Sequence, residues 1–339
     1  MKPLTFTRVI SICAALLAVL FVVVVAALKV GAVPISISDL ALNLARTIFG
    51  RRIEMPSEYR MIVFDIRFPR IVLGMLVGGA LSVAGTSFQA LLRNPLADPY
   101  VLGVSSGGAV GAILSLIFLP RIPLVTPLGA FLGAIATISA VYFLGRRHGQ
   151  LDSTTLLLAG IISASFLSAL ISFLVTTLAT RDLRGIVFWL MGDLSTPVPD
   201  SLHWALLAAL LLGIGSIYTT AADLNVITAG EREATHLGVD VTRVKLVVYV
   251  SASLLTGIAV SVSGAIGYVG LLVPHAMRML FGSDYRILIP ASAIGGAIAV
   301  VAADTLARTV MAPTELPVGA VTAMLGAPFF IYLLRRRLS

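Results

Sequence analysis

The chain has 339 residues, 58% of them hydrophobic and only 12% charged, with a mean hydropathy of +1.02; a soluble domain carries about 25% charged residues, so a soluble globular protein is excluded. The net charge of +8 comes without basic segments interleaved with stacking aromatics, which excludes nucleic-acid binding and leaves the charge to be read through loop placement. A single cysteine, Cys13, inside an apolar run excludes a disulfide framework.

The first apolar run, Val9 to Leu28, follows Lys2 and Arg8 in the manner of a secretion signal. At about 20 residues it exceeds a typical signal core, and no small-residue cleavage site follows Lys29, so it reads as the first membrane span. Apolar runs that are continuous rather than alternating leave helices as the way across hydrocarbon. The further spans fall near 58–91, 101–119, 122–146, 154–179, 199–221, 241–263, 267–281, 286–309 and 316–334, ten in all. The third is short and glycine-rich; the eighth is short and interrupted by Pro274. The chain reads as one all-α transmembrane domain, 1–339, with a polar segment at 223–240.

In chain order, small residues recur at helical spacing: Gly74, Gly78 and Ser82, then Gly103, Gly107 and Gly111, then Gly129 and Gly133. Such ladders let helix backbones approach closely in lipid. The fifth span carries Ser165, Ser168, Ser172, Thr176 and Thr180 on one face. Two readings stay open for this stripe, interhelical hydrogen bonding and the lining of a wetted path. The segment after span two, Leu91 to Pro99, and the segment Leu271 to Arg278 in span eight each put proline and polar groups beside a small-residue span, in halves of opposite orientation. That pattern fits an inverted repeat with broken helices.

Asp223 to Asp240 is the longest polar interruption of the second half. Glu231, Arg232, Glu233, Thr235 and His236 cluster between Gly230 and Gly238, and glycines stop helices better than they extend them. The expectation is one short helix, Ala229 to Leu237, laid across the end of the bundle. It serves either as a surface for another protein or as a plain connector.

Orientation follows from basic residues in short loops. The Arg146–Arg147 and Arg335–Arg337 clusters abut spans and place both termini inside, while Arg46, Arg51, Arg52 and Arg60 fall in the long first external loop. Gly103-Val104-Ser105-Ser106-Gly107 matches a nucleophile elbow, but that motif needs a strand–turn–helix in a sheet, and here it opens a membrane helix. No His/Cys/Asp/Glu set has metal-ligand spacing. No phosphate-binding loop is present, so any ATP is bound by another chain. Asp304 is the one acid near a span interior. A proton relay shows chains of them, which disfavours a channel or proton-coupled carrier working alone.

Arg67-Phe68-Pro69-Arg70 opens span two, and Gln89 to Pro99 (Gln-Ala-Leu-Leu-Arg-Asn-Pro-Leu-Ala-Asp-Pro) ends it. Leu102-Gly103-Val104-Ser105-Ser106-Gly107 follows, then Phe188-Trp189-Leu190-Met191-Gly192. Gly267 to His275 with Arg278, Glu315-Leu316-Pro317-Val318-Gly319 and Gly326 to Phe330 complete the series. Together, over almost the whole chain, these closely resemble the FecCD-type permeases of bacterial ABC importers, which carry iron-siderophores, haem or vitamin B12.

The resemblance implies a vitamin B12 permease-like bundle of ten helices and a homodimer with the path at its interface, in the bacterial plasma (inner) membrane. It implies two cytoplasmic ATPase subunits, an external substrate-binding protein and no cofactor. Asp223–Asp240 then holds the coupling contacts, with Glu231, Arg232, Glu233, Ala234, Leu237 and Gly238. Ser153 and Thr154 match the cytoplasmic gate, in a local sequence slightly different from the family pattern, and Asn94, Pro95 and Leu96 match a second gate. The stripe Ser165, Ser168, Ser172 and Thr176 tips toward pathway lining. Arg67, Arg70 and Arg308 match positions that pair with carboxylates of the binding protein. Arg181 and Arg184 serve either an anionic cargo or interfacial anchoring, and cobalamin stands as the alternative cargo to iron-siderophore or haem.

Overall fold

The computed structural model of the protein describes residues 5–31, 33, 57–119, 122, 124–147, 150–177 and 183–338. Seven of the described helices are long and apolar enough to cross a bilayer, and three shorter apolar helices accompany them. These ten correspond to the ten expected spans, though length alone does not make the short three into crossings. Helix α1 is Phe6–Lys29. Helix α2, Phe68–Leu91, continues a π-helical lead-in at Met61–Arg67 and is almost wholly buried. A 3₁₀ turn at Pro99–Leu102 precedes α3, Val104–Phe118. Helix α4 is Val125–Leu144. Two-residue strands β1 (Arg146–Arg147) and β2 (Gln150–Leu151) pair antiparallel before α5, Ser153–Thr177.

The second half runs α6 (Leu183–Leu190), α7 (Asp200–Thr219), α8 (Ala221–Ala229), α9 (Glu231–His236), α10 (Val241–Ser263), α11 (Val269–Phe281), α12 (Tyr285–Thr309) and α13 (Val318–Leu338). Helix α2 is the axis of the bundle, flanked by α10, α11 and α12. The small-residue ladders act as close-packing seams: a Cβ on Gly107 or Gly111 would overlap the backbone of Gly133 or Gly129 on α4. In lipid, where no hydrophobic force drives helices together, this approach is what dispersion requires.

Three expectations change in detail. Ala229–Leu237 is not one helix. Gly230, extended at φ 172°, ends α8 and caps α9, its carbonyl accepting from Ala234 N at 3.0 Å. Span three begins three residues later than expected, at Val104, because Gly103 turns left-handed (φ 75°) after the 3₁₀ turn. Pro274 does not break span eight. It lies inside an unbroken α11, and the carbonyl its missing N–H leaves free, that of Gly270, is the atom against which the backbone of Gly85 is pressed.

The real interruption lies just upstream of α11, at 264–268, where Gly264 and Tyr268 both adopt positive φ. It meets the other interruption. Tyr100 Oη donates to Ile266 O at 3.1 Å and accepts from Ile266 N at 2.9 Å. Gly103 packs against Ala164 of α5, roughly 16 Å along that helix from its start at the usual rise. Tyr268 packs against Gly326, roughly 12 Å into α13. Both breaks thus sit inside the bundle, so α3 and α11 are half-helices that start there and run toward opposite ends.

Candidate functional site

One end of the bundle gathers α8, α9, the end of α2 and the start of α5. Helix α9 is closed by its own sequence: Gly238 (φ 84°) donates to Thr235 O and Val239 N donates to Ala234 O, both at 3.0 Å, the two bonds of a Schellman stop. Asp240 then caps α10 by accepting from Arg243 N. Ala234 is fully buried within the main core that also holds Ile227 and Val244, so α9 is pinned along one side. Its other side presents Arg232, Glu233, His236 and Leu237, the last 73% exposed. The Glu233 carboxylate folds back over Gly230, as a third-position acid does at a helix start.

The expected gate residues are brought together at the same end. Ser153 Oγ, at the first residue of α5, donates to Leu91 O, the last residue of α2, at 3.1 Å. Asn94 Oδ1 accepts from Leu96 N at 2.9 Å, closing the turn that carries Pro95. That turn leaves α2 through Arg93, held at φ 48° where glycine is usual. Asp152 Oδ1 caps α5 through Thr155 N and Oγ1, beside the exposed Thr154. Arg8 reaches Phe281 O at this end too, so the start of α1 is here.

Two tethers here had no strong signal in sequence. Asn225 of α8 donates to Asp284 and accepts from Tyr285 N, fixing α8 to the start of α12. The paired Arg286 guanidinium, with Asn225, holds the Asp284 carboxyl down at about 2, so it is charged throughout the physiological range. Lys245 is 7% exposed and paired with Glu231 at 2.6 Å.

The hydroxyl stripe lies on an exposed face of α5, among Ile161, Ile162, Phe166 and Phe173. Ser165, Ser172 and Thr176 donate to carbonyls one turn back in their own helix, so among the described residues their hydroxyls make no interhelical bond. Ser168 stands on the same face and lends its carbonyl to Ser172. Thr180 and Arg181 lie outside the described residues, as do Lys2, Arg46, Arg51, Arg52 and the side chain of Arg184.

At the opposite end, Arg67, Arg70 and Arg308 converge, but inward. Arg67 donates to Leu28 O and Val33 O, each at 2.6 Å, and caps the carbonyl end of α1. Arg70 forks between Asp304 (2.9 Å from Nε) and Glu315 (2.7 Å from Nη1). Arg308 pairs with the other Asp304 oxygen at 3.1 Å. All three are below a tenth exposed. Arg70 and Arg308 are thus ion-paired within the chain and Arg67 is held by carbonyl oxygens, as buried guanidiniums require. Arg70 does line a cavity of about 300 Å³ with Asp65, Leu194 and His203.

Residues 17–336 match the FecCD transport family. The cobalamin import system permease BtuC of Halobacterium salinarum is 44% identical over 287 residues, 84% of this chain and 76% of the relative. The hemin transport system permease HmuU of Yersinia pestis is 42% identical over 284 residues, 81% and 84% of the two chains. A solved inward-facing ABC transporter of metal-chelate type superposes with a TM-score of 0.81 at 30% identity, over 96% of this chain and 99% of that one.

Proposed function

The chain belongs to the FecCD transport family, and from that premise we propose that the cargo it passes inward is a metal chelate, an iron–siderophore or haem. It is a multi-pass membrane permease of an ABC importer and not an enzyme; the ATP chemistry is on separate subunits. The observation that carries the cargo reading is the end-to-end likeness to a metal-chelate transporter together with the hemin permease. Cobalamin is the second reading, favoured by the 44% identity to a cobalamin permease.

The assembly we infer is a homodimer in the bacterial inner membrane with both termini cytoplasmic, two ATPase subunits below and a binding protein outside. Residues 1–339 form its single permease domain. The exposed α5 face, with Ser165, Ser168, Ser172 and Thr176, lines the path opposite its copy, a reading supported by hydroxyls that, among the described residues, make no bond to another helix. Asn94–Leu96 with Ser153 and Thr154 form the cytoplasmic gate at the foot of that face. Glu231, Arg232, Glu233, Ala234, Leu237 and Gly238 build the coupling helix: Ala234 pins it, and the charged side and Leu237 meet the ATPase. Arg67, Arg70 and Arg308 serve docking from beneath, by fixing the outer rim on which the binding protein sits.

The test is reconstitution with the ATPase and binding protein in proteoliposomes, supplied in turn with ferric siderophore, haem and cyanocobalamin. ATP-dependent uptake of an iron chelate is expected. Uptake of cobalamin alone replaces the cargo reading by the second one. Uptake by the chain without its ATPase defeats the importer mechanism.

A further inference from the structure

Lys245 lies in the second turn of α10 with its ammonium held from two sides. Glu231 Oε1, on the first residue of α9, is 2.6 Å away. Leu151 O, at the end of β2, accepts from the same ammonium at 3.2 Å. A long cationic side chain ordinarily reaches for water, and this one is instead buried between two other elements. Leu151 immediately precedes Asp152, the cap of α5, and Ser153, whose hydroxyl holds Leu91 O. A continuous series of contacts therefore runs from the start of α9, through one ammonium, to the foot of α5 and the end of α2.

We propose that Lys245 is a positioning residue that transmits displacement of α9 to the gate. This rests on the reading of α9 as the coupling helix. If α9 moves and Glu231 withdraws, the buried ammonium keeps only a carbonyl, a costly state for a charge out of water. The ammonium follows its carboxylate and draws on the Leu151 carbonyl, and with it the cap of α5. A lysine serving only as a packing pin would stabilise α10 without linking the two movements.

The experiment uses the complete transporter in proteoliposomes and compares Lys245→Met, Glu231→Gln and the double variant. It reads cargo moved per ATP hydrolysed, co-purification of the ATPase, and melting temperature. Each single variant is expected to lower cargo per ATP by about fivefold, within the range such links carry. The ATPase should remain attached to the Lys245→Met protein. The double variant should be no worse than Lys245→Met, since both changes remove one contact. A cargo-per-ATP ratio within about twofold of wild type, or losses that multiply in the double variant, overturns the proposal. Should Lys245→Met not fold, Glu231→Gln, changed at a half-exposed carboxylate, decides alone by the same ratio. Failure of the coupling reading itself is distinguishable: there the ATPase is retained after α9 is broken, and the wild-type ratio survives that break.

Discussion

Asp304 is 2% exposed and faces two guanidiniums, Arg70 on one oxygen and Arg308 on the other. In sequence it stood out as a lone acid in a membrane segment. In the fold it is the centre of a clamp tying α2 to α12 and, through Glu315, to the approach of α13. The clamp explains why Arg70 and Arg308, two of the three arginines that match docking positions, point inward, since a charge in that setting is kept only if paired; Arg67 is turned inward separately, by the carbonyl end of α1. Removing one partner leaves the others uncompensated. Arg70→Met is therefore expected to cost about 3 kcal/mol of unfolding free energy in detergent, with Arg70→Lys, which keeps the charge but loses the fork, falling between. A loss below about 1 kcal/mol would show that solvent reaches the pair.

At the scale of elements, α9 is six residues long, far below the length at which an isolated helix holds in water. Its stability comes from its ends and from Ala234. The Gly238 stop was legible in sequence, because glycine in that place has a backbone reason. Gly230 was so only in part. A glycine in a polar run marks a break without showing what lies on its far side, and only the neighbouring α8 supplies that. Replacing Ala234 by Gly should cost about 1 kcal/mol. Replacing it by Pro deletes the 3.0 Å bond from Ala234 N to Gly230 O and should cost about 3 kcal/mol. The expected pattern is normal membrane insertion and outer docking, with transport lost and ATPase association weakened. Wild-type uptake by Ala234→Pro with the ATPase still bound sinks the coupling assignment.

For the whole molecule, sidedness is the property on which the rest depends. Arg8, Leu91, Ser153, Glu231 and Asp284 gather at one end and the Arg70 clamp at the other, and the basic clusters beside the spans assign the first of these ends to the cytoplasm as an expectation. With Cys13 replaced, a cysteine at Thr235 should be shielded from impermeant thiol reagent added outside, and one at Ser195 should react; the reverse labelling inverts the topology. The long apolar runs, the glycine seams and the family motifs were readable because each rests on composition or short spacing. The meeting of Tyr100 with Ile266 was not, since the partners lie far apart in sequence and hydropathy carries no information on depth. That meeting bears on how the protein is made. Helices α3 and α11 extend only about 22 and 20 Å, short of the roughly 30 Å of hydrocarbon. Insertion machinery that weighs one segment at a time has little reason to retain either. Helix α11 takes its place against α2, where Gly85 receives Gly270, and α3 against α4, with the tyrosine joining its break to the opposite one. The expectation is an ordered biogenesis, with the long helices laid down as a scaffold and the two half-helices seated last; Gly85→Leu, which fills the seat of α11, should leave the long helices inserted but α11 open to protease, and a protected α11 would refute that order.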